Sequence, residues 1–179
     1  RASMSLGHLK KFFEIIRSID PIQPLTVGIW TSTRDISKLP EIERFGLENS
    51  DIISYHNYAT YMENIEIIAQ LKKLGRPLVN TEWLARCVGN RVEEMFPLFY
   101  IEQIGCYNWG LVAGKYQTFE PWTGMWENYD KDPEHCGWDF EKWFHDLYRP
   151  SLRPYNPKEI ALMKKVCKLA DSDFMQLMR

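Results

Sequence analysis

Five positions in the 179-residue chain carry side chains whose types and placement suit chemistry on a neutral polyol. Glu82 closes the apolar run RPLVNTE, His56 and Tyr58 sit two residues apart in YHNY, and Trp30 and Trp109 each end a short β-type run. A carboxylate can act as nucleophile or base, an imidazole and a phenol can orient it, and indole faces stack on the apolar faces of pyranose rings. Each residue also has a plainer reading. Glu82 can be a strand-end acid paired with Arg86 or Arg76, His56 a buried structural histidine, Tyr58 a rim aromatic, and Trp30 simple packing. Trp122 and Trp126 in EPWTGMW either line a subsite or pin down a loop, whereas Trp138 and Trp143 are expected to pack a following helix.

These residues need elements to hold them. Four β-type runs recur at intervals of about 26 residues: LTVGIW (25–30), DIISYH (51–56), RPLVNTE (76–82) and IGCYNW (104–109). Between the second and third, MENIEIIAQLKKLG places Ile65, Ile68 and Leu71 at helical spacing, with acids at the start, lysines near the end and Gly75 as a stop. The segment NRVEEMFPLFYIEQIG repeats the design, with Pro97 expected to disturb it. A shorter helix is expected in ISKLPEIERFG, an opening helix in SLGHLKKFFEIIRSID, another near DFEKWFHDLY after a long loop (110–137), and a last one from Pro157. Strands alternating with helices predict an α/β fold with a parallel sheet. In such sheets functional groups gather where strands end and loops begin. Nothing in the composition marks a second domain, so residues 1–179 read as one.

Composition narrows the partners. With 22 basic against 24 acidic residues, a net charge of −2 and no block of like charge, nucleic acid and membrane surfaces are disfavoured. No run approaches the roughly 20 apolar residues of a membrane span. The four cysteines are widely separated and read as free thiols. Asp130, Asp132 and Glu134 lack the spacing of an EF-hand, and the EHC triplet at 134–136 reads as surface, so no metal or cofactor is expected.

Taken together, NTEWLAR, YHNY, GCYNWGLVAGKYQT and KWFHDLYRP resemble the C-terminal half of clan A glycoside hydrolases, particularly the family 5 cellulase-like enzymes. The resemblance runs from residue 1 to about 165. It implies four consecutive strand–helix units of a TIM-type (β/α)₈ barrel, with Glu82 as the nucleophile of a retaining hydrolase of cellulase, mannanase or xylanase type. It further implies that His56 and Tyr58 surround that nucleophile and that Trp109 underlies the reacting sugar. A retaining enzyme needs a second carboxyl group about 5 to 5.5 Å from the first. The family carries this acid after an earlier strand, which the resemblance places outside these residues, together with the first half of a barrel of about 250 residues. The expected ligand is a β-linked oligo- or polysaccharide, and the expected protein partner a second copy or a complementary N-terminal half. The family's usual setting is extracellular or periplasmic. Two alternatives stay open: a non-catalytic half barrel that binds sugar weakly or only self-associates, and an unrelated parallel α/β fold with a small-molecule site.

Overall fold

In the computed structural model, which describes residues 2–31 and 35–178, four strands form one sheet. They are β1 (Gly28–Trp30), β2 (Ile53–His56), β3 (Leu78–Glu82) and β4 (Gly105–Cys106), adjacent in chain order and parallel at every pairing. Helices α1 (Ala2–Ser18), α2 (Glu41–Asn49), α3 (Tyr61–Lys72), α4 (Val92–Ile101), α5 (Thr123–Lys131) and α6 (Pro157–Leu177) complete the described chain. Local chemistry explains the boundaries. The Glu63 carboxylate accepts from the Thr60 backbone N–H and hydroxyl at the start of α3, and Asn156 accepts from the Lys158 N–H ahead of Pro157, the first residue of α6.

The sheet is covered on one side. Alternation sends Ile29, Ile53, Tyr55 and Leu78 to one face, where they join Leu47 of α2, Ile67, Ile68 and Leu71 of α3, and Val92, Met95 and Phe99 of α4 in the main core. The register row Gly28–Ser54–Val79–Gly105 belongs to the other face, and both of its glycines are exposed. A doubly wound sheet reverses its strand order and carries helices on both faces. Sequential order with one covered face is instead compatible with half of a barrel.

Several expectations need correction. Residues 139–148 form no helix: they run irregularly between α5 and α6. The run at 104–109 pairs only through Gly105 and Cys106, the run at 25–30 only from Gly28, and the loop after β4 contains α5. Pro97 does not interrupt α4, which continues to Ile101 because Val92, Met95, Leu98 and Phe99 are buried along its length. Trp143 packs against no helix-borne core; it lies stacked on Tyr155 at 4.8 Å between ring centroids, while Trp138 joins a small cluster with Phe144 and Met125.

Candidate functional site

The answer to why a strand with a buried side ends on an acid lies in the pairing of β2 with β3. Tyr55 opposes Asn80, but the next pair is His56 with Glu82, so Thr81 is an extra residue. Such a bulge turns the following side chain to the opposite face. Without it Thr81 would face His56 and Glu82 would point toward the helices. With it, Glu82 shares the uncovered face with His56.

The backbone fixes this turn on both sides. The Glu82 N–H donates to Asn80 Oδ1 at 3.2 Å, and its carbonyl accepts from the Asn57 N–H at 3.0 Å. The carboxylate then meets two groups on one oxygen. The Tyr58 hydroxyl donates to Oε2 at 2.8 Å, and His56 Nδ1 lies 3.3 Å from the same atom. Burial, ahead of the hydrogen bond to Glu82, pushes the Tyr58 phenol well above its usual range, so it remains a donor. Burial also lowers the His56 pKa, outweighing the opposing pull of the Glu82 charge. That shift favours the neutral imidazole beside Glu82.

The arginines that might have claimed Glu82 are engaged elsewhere. Arg76 donates to the carbonyls of Ser50 and Leu47. Arg86 is buried in a bidentate pair with Glu159, at 2.9 and 2.6 Å, and also donates to the Asp146 carbonyl at 3.1 Å. Gly28 leaves room for the imidazole: a Cβ there would stand 2.7 Å from His56 Nε2.

Around this pair the aromatic rings form a continuous wall. The Trp30 ring lies 5.6 Å from Tyr58 and 6.0 Å from His56, edge to face with the imidazole. Trp122, just before α5, reaches over to 5.4 Å from Tyr58, 6.2 Å from Trp30 and 4.9 Å from Phe144. Trp109 follows β4 by three residues; its N–H donates to the Trp83 carbonyl at 3.2 Å, which ties it to the residue after Glu82. Thus His56, Tyr58, Glu82 and Trp30 come together directly, and Trp109 is anchored beside β3 and opens onto a cleft shared with Trp122.

Two groups in this region were not singled out by sequence reasoning. His145, buried beneath Tyr58 and Trp122, donates through Nδ1 to the Leu84 carbonyl, leaving Nε2 an acceptor without a partner. Burial lowers its pKa to about 4, so it is neutral. Asp146 beside it accepts from the Thr118 hydroxyl at 2.7 Å and, being buried, has a raised pKa. Gly110, with φ of 82°, permits this approach, since a Cβ there would lie 2.9 Å from Asp146 Oδ1. Their only signal was the HD pair inside an aromatic segment.

Among the described residues no group of three or more His, Cys, Asp or Glu is placed to hold a metal, and no helix is long and apolar enough to cross a membrane. No protein-family profile, curated protein or solved structure matches the chain significantly.

Proposed function

We propose that the chain is the nucleophile-bearing half of a TIM-type glycoside hydrolase barrel, acting with retention on β-linked glycans of the cellulose, mannan or xylan kind. The observation that carries this reading is the convergence of Tyr58 Oη and His56 Nδ1 on one oxygen of Glu82, at the C-terminal ends of two neighbouring parallel strands. Tyr58 aims the carboxylate through its hydrogen bond to Oε2. Glu82 attacks the anomeric carbon, the bond from that carbon to the leaving oxygen breaks with its electron pair, and a glycosyl ester forms. His56, neutral, orients Glu82 or donates to a sugar hydroxyl. Trp30 and Trp109 supply ring faces. The second carboxyl group, which protonates a poor leaving group, belongs to the segment or subunit that covers the open face.

Because departure of an acidic phenol needs no proton, the nucleophile can be tested without its partner. Incubation with a 2,4-dinitrophenyl 2-deoxy-2-fluoro-β-glycoside of the gluco, manno or xylo series should leave one fluoroglycosyl group on Glu82, read by peptide mass spectrometry. Absence of label in all three series, or label that persists in Glu82→Gln, would contradict the assignment.

A second reading, a non-catalytic half barrel that binds sugar or associates, draws on a different observation. Gly28 and Gly105 are exposed, and β1 and β4 each pair with a strand on one side only among the described residues. Association with a second copy, or with a complementary half, covers both. The two readings are compatible in an assembly and separate on whether Glu82 is labelled.

A further inference from the structure

We propose that Asn90 is a positioning residue for the Glu82–Tyr58 pair: its side-chain amide locks the turn that follows Glu82 to the loop that carries Tyr58. The inference rests on the nucleophile reading above for its chemistry, and its geometry begins with Leu84. Glu82 shares the uncovered face with His56, whereas Trp83 and Leu84 both lie fully buried in the main core. Consecutive residues of an extended strand point to opposite faces, so the chain has to turn sharply directly after the carboxylate. Leu84 makes that turn with φ of 77°, a left-handed conformation that an L side chain adopts at a steric cost and that persists only where the surroundings hold it. Buried partners take both of its backbone polar groups. Asn90 Oδ1 accepts from the Leu84 N–H at 3.0 Å, and His145 Nδ1 donates to the Leu84 carbonyl.

Asn90 reaches further. Wholly buried, and fixed by reciprocal backbone hydrogen bonds with Ala85 at 3.2 Å each, it turns its Nδ2 to the Ala59 carbonyl at 2.7 Å. One amide therefore joins the residue after Tyr58 to the second residue after Glu82. A separate bond, from the Asn57 N–H to the Glu82 carbonyl at 3.0 Å, joins the same two segments one residue before Tyr58. A single tie would let the segments pivot about it. Two ties fix the angle between them, and that angle sets where the Tyr58 hydroxyl stands relative to Glu82 Oε2, 2.8 Å away. Asn64 of α3 also donates to the Ala59 carbonyl, at 2.8 Å, so without Asn90 the Tyr58 loop stays attached to α3 and loses this link to the segment after β3.

The test is a double-mutant cycle read by fluoroglycosyl labelling, with the labelling rate at saturation separated from the half-saturating reagent concentration. Asn90→Ala should slow the saturated rate about 10- to 100-fold, as loss of one hydrogen bond to a charged acceptor does, and change half-saturation by less than about twofold. In Tyr58→Phe, whose hydrogen bond is already gone, adding Asn90→Ala should slow labelling by less than about threefold, whereas a residue that merely supports the fold would slow both backgrounds alike. A crystal structure of Asn90→Ala should show Tyr58 Oη and Glu82 Oε2 separated beyond hydrogen-bond range, more than about 3.5 Å. Asn90→Ser, one bond shorter and still polar, takes its place if Asn90→Ala does not fold; failure of both to fold would make Asn90 a purely structural residue and overturn the proposal. So would an unchanged rate, equal slowing in the two backgrounds, or a variant structure that keeps the 2.8 Å bond. A wild-type chain that takes no label defeats the nucleophile reading alone, and the variant structure then decides the positioning role.

Discussion

At the scale of single residues, the proposed chemistry turns on one carboxylate oxygen. Tyr58 contributes a hydrogen bond to a charged acceptor, worth about 1.5 to 3 kcal/mol. Tyr58→Phe should accordingly slow fluoroglycosyl labelling of Glu82 by roughly 10- to 100-fold while the fold is retained, measured as the rate of mass increase. Gly28→Ala tests the other contact: a methyl 2.7 Å from His56 Nε2 forces the imidazole away, and labelling should fall although Gly28 itself has no side chain to take part in the chemistry. His145 gives a pH signature. Its folded pKa of about 4 lies below the ordinary 6.5, so the unfolded chain binds the proton more readily. The stabilisation is complete above pH 6.5 and is lost as pH falls toward 4, a change of roughly 3 kcal/mol. Urea midpoints measured between pH 7.5 and 4.5 should show this slope, and His145→Gln should flatten it. Glu82, His56 and Tyr58 were legible in the sequence because each ends or follows a run of β-type residues. His145 was not, because its importance comes from contacts with Leu84, Tyr58 and Trp122, distant in sequence and set by no periodic pattern.

Among the elements, the bulge in β3 and the buried Arg86–Glu159 pair do most of the positioning. The pair joins the turn Arg86–Val88, directly after the site, to the start of α6, and its third nitrogen holds the segment carrying His145 and Asp146. Removing one member leaves the other charged and buried. Arg86→Met should cost about 3 to 5 kcal/mol in urea unfolding, and Arg86→Met with Glu159→Leu should recover much of that loss. The same neighbourhood explains an expectation that failed. Phe140, Trp143, Phe144 and Leu147 recur at near-helical spacing, yet each ring goes to a different partner: Phe140 to Trp126, Trp143 to Tyr155, and Phe144 to Trp122. Their spacing serves a loop threaded between elements, which a periodicity argument cannot distinguish from one helix face. Helices α3 and α4 were readable because their apolar stripes all face a single core. The bulge was unreadable, since nothing in LVNTE marks Thr81 as supernumerary until Asn80 is seen bonding the Glu82 N–H.

For the molecule as a whole, a sheet covered on one side sets the expectation of assembly. Exposed Gly28 and Gly105, with edges at β1 and β4 that are open among the described residues, favour a second copy or a complementary half. Light scattering on the purified chain should give a mass above 21.3 kDa, and a monomer at every concentration would remove the self-association proposal. The parallel α/β order was readable from the 26-residue repeat of the strand runs, whereas which face stays bare emerged only from the packing of the helices. The proposed function depends on Glu82 meeting a sugar, and the 2,4-dinitrophenyl 2-deoxy-2-fluoro-β-glycosides test it most directly. A single fluoroglycosyl adduct on Glu82 is expected, slowed in Tyr58→Phe and abolished in Glu82→Gln. An intact chain that remains unlabelled in the gluco, manno and xylo series, or that is labelled on any other residue, would contradict it.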